Sequence, residues 1–481
     1  MKSLKKNYIL YLLRTILNLL FPLITFPYIC RILGPENQGK VTYLSSVIAL
    51  FTMAAQLGIP TYGLRECSKV NTEKNKLKQF IVEISIVQIL TTFFCSVFYI
   101  VYITIFIKGD IALYFIFLPQ IFFATFNFDY YYTATENQKL LTERFIFVRL
   151  LEIILLFTFV RGKNALILYA ILTTLGQLLN FIINIYGLKE LVKEKIYKKI
   201  ELKQHIKPII IIFFANIAIT IYANLDNVMV GNMVSVEAVG FYGVANKIVR
   251  IIITIAIATS TVLFPRLQQS RQNEDWNSYA RYSRDYLCYT LMFSIPALIG
   301  LILLAKEIIL ITAGERYLPA VISMQILAPI LIIVPLANFF GGMILMVNNK
   351  ETYYTISVSI AALLNVIANY FLIPIYHQNG AIIGTLLAET IGLSLEILFS
   401  WKYLKGIKQC FINIVFYIIA AIIMFICIKA FKDFFVFPII TDTMLCILLG
   451  ITSYSFVLLF LREQYISNVL QAILIRVRIK K

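Results

Sequence analysis

The chain is 481 residues long, 60% hydrophobic, and carries a formal net charge of +18. Apolar runs of about 20 residues, each long enough to cross a hydrocarbon core of ~30 Å, recur to its end and leave no stretch that could bury a separate soluble core. This excludes a fused ATPase, kinase or soluble glycosyltransferase domain, and a polymerase or ligase working on a large outer loop. In chain order the predicted spans are 8–30, 40–63, 79–107, 111–133, 143–160, 164–187, 208–230, 238–263, 285–305, 321–347, 352–374, 380–403, 409–430 and 443–461. The expectation is an all-α polytopic membrane protein of about 14 transmembrane helices.

The first span holds Arg14, Pro22 and Pro27 and is too long for a cleaved signal peptide. Between spans one and two, Gly34-Pro35-Glu36-Asn37-Gln38-Gly39-Lys40 has phosphate-loop spacing, but Val41 stands where a magnesium-binding Ser or Thr is required. A phosphate loop also joins a strand to a helix, so these glycines are read as turn residues. Arg65 closes the second span, Glu83 opens the third, and Asp129 lies in the fourth. The fifth carries Arg149 and Glu152, three apart on one helical face, where they can pair or snorkel. Asp226 falls in the seventh, Lys247 and Arg250 in the eighth, and Glu389 and Glu396 in the twelfth. The cysteines, at 30, 67, 95, 288, 410, 427 and 446, show no paired spacing and read as small packing residues. With His205 and His377 the only histidines, no His-based metal site is expected, and no cofactor.

Basic residues sort by side. Loops on one side hold 30 Lys and Arg, among them Lys74, Lys199 and Lys405, and loops on the other hold nine. Basic loops stay cytoplasmic, so both termini are expected in the cytoplasm of a multi-pass protein of the bacterial cytoplasmic membrane. Topology accounts for the charge, and no nucleic-acid partner is implied.

The chain partly repeats at an offset of about 200 residues. Glu36, Gly39 and Tyr43 follow the first span as Glu237, Gly240 and Tyr242 follow the seventh. Asn127-Phe128 leads to Asn137-Gln138-Lys139 as Asn338-Phe339 leads to Asn348-Asn349-Lys350. An offset of six spans preserves orientation, as in transporters built from parallel repeats. The expected domains are an N-terminal lobe at 1–200, a C-terminal lobe at 201–408, and two further helices with a basic tail at 409–481. The fold expectation is thus two pseudo-symmetric six-helix lobes plus two C-terminal helices around a central cavity.

A charge at mid-membrane costs ~2.5–3.5 kcal/mol on insertion scales, so each is a functional hypothesis. Arg14, with Asn18 on its face, and Lys247 with Arg250 suit a phosphate or diphosphate group in a low-dielectric cavity. Glu83, Asp129, Asp226 and Glu389 are candidates for ion coupling, to protons, sodium or the membrane potential.

The stretch LNLLFPLITFPYICRILGPENQGKVTY, then LGIPTYGLRE, ANLDNVMVG and VGFYGVANKI, resembles bacterial polysaccharide repeat-unit flippases, the Wzx-type O-antigen and capsule exporters. The resemblance implies membership of the superfamily of multidrug, oligosaccharidyl-lipid and polysaccharide exporters, without enzyme activity. It implies as substrate an undecaprenyl-diphosphate-linked glycan, with membrane lipids, a polysaccharide polymerase and glycosyltransferases as partners. It also carries Arg14, Arg65, Asp226 and Lys247 over as functional charges. The alternatives are a multidrug or cation antiporter on the same fold, favoured by acidic residues such as Glu389 and Glu396, or a lipid II flippase.

Overall fold

The computed structural model describes residues 2–71, 73–107, 109–162, 165–192, 200–404, 410–468 and 471. Residues 193–199, 405–409 and 472–481, which include Lys199, Lys405 and the boundary expected at 408–409, lie outside the described residues. All regular structure among the described residues is helical, and the chain forms two compact units, Met1–Gly240 and Phe241–Lys481.

In the first unit α1 (Lys2–Gln56) covers the first two expected spans. Its apolar part, Ile9–Gln56, runs 48 residues, which at 1.5 Å per residue is ~72 Å and exceeds two bilayer crossings. The helix breaks at Gly34, which takes φ 73° and ψ 173°, with Pro35 directly after it. Gly39 is different. It is helical, and a Cβ there would collide with the Val236 carbonyl, while one on Gly240 would collide with that of Pro35. Of the two glycines expected to make a turn, Gly34 does so and Gly39 instead permits a close helix crossing. The crossing joins the two copies of the Glu-x-x-Gly repeat.

Leu57 and Gly58, both at positive φ, end α1 and set off the short α2 (Ile59–Lys69). The long α3 (Lys74–Phe106) follows, then α4 (Ile111–Thr125), α5 (Asp129–Ala134), α6 (Gln138–Phe159), α7 (Ala165–Val192) and α8 (Lys203–Met233). The fourth expected span is broken at Phe126–Phe128, where Phe128 is left-handed at φ 49°. A buried cluster including Ile59, Tyr62, Phe80, Ile84, Phe128, Tyr130 and Tyr132 locks α2, α3 and α5 together.

α9 (Val236–Ile257) begins in the first unit and continues into the second. The second unit goes on through α10 (Ser260–Gln272), α11 (Trp276–Leu303) and α12 (Ala305–Thr312). The tenth expected span is α13 (Ala320–Leu327) and α14 (Ile330–Ala337), bent by 42°, with α14 running into a π-helical turn at Asn338–Leu345. α15 (Glu351–Tyr376), α16 (Gln378–Ser400), α17 (Cys410–Phe434) and α18 (Ile439–Phe460) complete it. α17 and α18 pack on α11 through Leu291, Tyr417, Met424 and Leu458.

Among the described residues, ten helices are long and apolar enough to cross a membrane, or 11 with the bent pair. Two of the expected spans share α1, and α6 carries four charges, Glu143, Arg144, Arg149 and Glu152. The seventh expected span lies within α8, a continuous 31-residue helix. The protein is a multi-pass, all-helical membrane protein.

Candidate functional site

The break between α4 and α5 creates a buried polar node. Asn127 accepts from the Asp129 backbone N–H at 3.0 Å, closing a tight turn that aims the Asp129 carboxylate at α6. There Arg144 donates to both carboxylate oxygens, at 2.7 and 3.1 Å. Asn184 of α7 takes a third bond from Arg144 at 2.5 Å and donates to the Asn127 carbonyl and to Asp129. Tyr132 of α5 donates to the Asn184 backbone carbonyl at 2.5 Å. Two charges and two amides thus satisfy each other where the chain would otherwise strand unpaired groups.

The node forms the floor of a cavity of 180 Å³ lined by Asn127, Asp129, Arg144, Arg149, Gln177 and Asn180, with Phe145 and Val148 as apolar wall. Arg144 is 9% exposed, yet its Nε meets no partner among the described residues. Arg149 pairs with Glu152 at 2.6 Å, so the expected i,i+3 pair forms. Guanidinium and amide donors beside a carboxylate suit a hydroxyl-rich or phosphorylated group.

Arg14 belongs to the same neighbourhood. Leu10 and Phe21 of α1 touch α6, the Leu10 carbonyl accepting from Thr142 at 3.3 Å and Phe21 meeting the Phe145 ring at 5.9 Å. Arg14 follows Leu10 by four and precedes Phe21 by seven, which puts it on that stripe. It is half-buried, with its guanidinium 5.8 Å from the Tyr11 ring, and Asn18 is exposed.

The remaining expected residues lie elsewhere. Arg65 is exposed on α2 and pairs with Glu66 at 3.0 Å. Burial works against the charge of Glu66, but hydrogen bonds from Lys69 and Arg65 outweigh it and hold the carboxyl below its usual range. Glu83 is 2% exposed and bonded to His205 at 2.8 Å, to the Glu201 backbone N–H at 2.9 Å and to Gln79 at 2.9 Å. Tyr62 completes the chain to the other ring nitrogen of His205 at 2.8 Å, so this cluster ties α2 and α3 to the start of α8. Asp226 is buried in α8, and its neighbour Asn227 donates to Ser46 of α1 at 2.9 Å. In the second unit Lys247 and Arg250 are exposed on α9, Arg250 bonding Asn246 at 3.2 Å. Glu389 is half-buried on α16, and Glu396 on the same helix is 3% exposed.

Arg144, Asn184, Asn127 and Asn180 were not anticipated. Asn180 and Asn184 had a signal, being amides, with Gln177, within a mostly apolar and uncharged run at 164–187.

A family model described as "Polysaccharide biosynthesis protein" matches residues 4–271, and one described as "MatE" matches residues 212–371. A relative from Escherichia coli (strain K12) described as "Putative O-antigen transporter" is 24% identical over 408 residues, covering 82% of this chain and 96% of its own. Among solved structures, the lipid II flippase MurJ in an inward closed conformation superposes with a TM-score of 0.73 at 19% identity, covering 95% of this chain and 99% of that one. An inward-facing multidrug resistance MATE transporter gives 0.59 at 14% identity, covering 81% and 96%. The fold is that shared by these transporters.

Proposed function

The chain belongs to the polysaccharide biosynthesis protein family of membrane transporters, and from that premise we propose that it flips undecaprenyl-diphosphate-linked oligosaccharide repeat units across the cytoplasmic membrane by alternating access. The observation that carries the reading is the family match over residues 4–271, which contains the whole polar cavity of the first unit. A diphosphate and several sugar hydroxyls cannot cross hydrocarbon unaided, since each unpaired polar group costs several kcal/mol. Hydrated, donor-rich protein surface shelters the headgroup while the polyprenyl tail remains in lipid.

In this reading the protein has 14 spans with both termini cytoplasmic. Its repeat halves are 1–200 and 201–408, and 409–481 carries the last two helices and the basic tail. Arg14, Asn18, Lys247 and Arg250 are the cationic and polar groups offered to the anionic headgroup. Arg65 acts at the cytoplasmic end, and Asp226 supports substrate or ion binding. Glu83, Asp129 and Glu389 complete the coupling candidates, although the bonds around Glu83 and Asp129 favour a structural part for those two. Polymerase and glycosyltransferases are the expected functional partners.

The test is deletion of the gene in a host without a compensating exporter, following surface polymer and lipid-linked intermediate together. Loss of polymer with accumulation of intermediate on the cytoplasmic face is expected. The match to the MatE model at residues 212–371 motivates the drug-antiporter alternative, which predicts intact polymer and reduced efflux of cationic dyes. A lipid II flippase predicts arrested cell-wall synthesis instead.

A further inference from the structure

The second unit contains a buried carboxyl that the reading above does not use. Glu396, one turn before the end of α16, is 3% exposed, and its Oε2 meets no hydrogen-bond partner among the described residues. The carboxyl sits against the π-helical turn at Asn338–Leu345, where Gly341 leaves room for it. A Cβ at Gly341 would lie 2.5 Å from the carboxyl carbon and 2.7 Å from the Tyr354 ring. An ionised carboxylate with an orphan oxygen in such a seat is strongly disfavoured, whereas a neutral carboxyl is tolerated. π-turns inside α-helices are strained and frequently lie at functional positions.

Among the described residues no cation pairs with this carboxyl oxygen, and Lys350, half-buried at the start of α15, lies four residues before Tyr354. α13, α14 and the π-turn, all packed on α16, have no ionisable side chain in their sequences. α15 presents Tyr354, whose ring approaches the seat, while its Glu351 is exposed. On α16 itself Glu389 lies seven residues away on the same face, a like charge. Lys402, past the helix end, is exposed and stacks over Tyr403 at 5.2 Å.

We propose that Glu396 is a proton-binding site: protonated while seated under the π-turn, it unseats α16 from that turn when it ionises. The step breaks one carboxylic O–H bond, leaving the electron pair on the carboxylate and giving the proton to water. Alternation between the two seatings makes transport proton-coupled through this unit. The coupling rests on the transport reading; the proton site does not.

The experiment uses the purified full-length protein in lipid nanodiscs. Infrared spectra at neutral pH are expected to show the C=O stretch of a protonated carboxyl in the wild type. That band is lost in Glu396→Gln and in Glu396→Met, whose apolar side chain suits the seat should the amide fold poorly, and it is retained in Glu389→Gln. In cells lacking the native gene, export of lipid-linked glycan by the wild type is expected to vary with external pH, and export by Glu396→Gln to lose that dependence. A band that survives both substitutions overturns the site. A lost band with an unchanged pH profile overturns the coupling. If the wild type exports no lipid-linked glycan, the transport reading fails, while the infrared result still decides the proton site.

Discussion

Arg144 is held by two bonds to one carboxylate and one to an amide, in a place where only 9% of its surface is exposed. Taking one partner from such a pair leaves a charge stranded, which typically costs ~3–5 kcal/mol. Asp129 keeps 38% side-chain exposure, so Asp129→Ala is expected at the low end, about 3 kcal/mol, read as a lowered unfolding midpoint in detergent. The double variant Asp129→Leu with Arg144→Leu should recover much of that loss; a double variant as unstable as the single would show that the pair is not the source. Arg14 is the converse, a half-buried cation with an aromatic neighbour. Arg14→Ala is expected to cut export at least about tenfold, equivalent to ~1.4 kcal/mol, with normal membrane expression. Arg14→Lys separates charge from geometry, because ammonium retains the charge but not the planar two-pronged donor set. The sequence placed Asp129 and Arg14 but not their surroundings. Asp129 meets Arg144 across 15 residues and Asn184 across 55, contacts that no local pattern encodes.

Helix lengths were legible because hydropathy and span length follow from the bilayer itself. The breaks were less so. Phe128 at φ 49° and Leu57 at φ 47° have apolar side chains with no preference for that conformation, and their strain is offset by packing in the surrounding core. The π-turn at Asn338–Leu345 likewise carries no local signal beyond Asn338 and the paired Gly341-Gly342. Gly39 illustrates the opposite risk, since a glycine in a short polar connection between apolar runs invites a turn assignment when its use is a crossing. Gly39→Ala is expected to force α1 away from α9, costing ~1–3 kcal/mol as overpacking does. Gly34→Ala strains the backbone rather than the crossing. Cross-linking of cysteines placed at 37 and 237, on α1 and α9, should weaken for Gly39→Ala; equal cross-linking in both glycine variants would remove the crossing from the explanation.

At the scale of the molecule, the charge asymmetry makes an orientation testable. α3 is 33 residues long, ~50 Å, so its two ends lie on opposite sides of a bilayer. A cysteine replacing Lys74, at one end, should react only with reagent admitted to the cytoplasm. Cysteines at Asp110, beyond the other end, and at Asn37 and Glu315 should react from outside. Labelling of the Lys74 position from outside would invert the topology. The crossing of Gly39 and Gly240 has a consequence for how such a chain can change. Each position faces the backbone of the opposite helix, at Val236 and at Pro35, so a bulky residue at one already opens the gap that a bulky residue at the other would need. Substitution costs there should saturate rather than add. Lineages that lose one glycine then face almost no barrier to losing the second, and once both are lost gain nothing by regaining either alone.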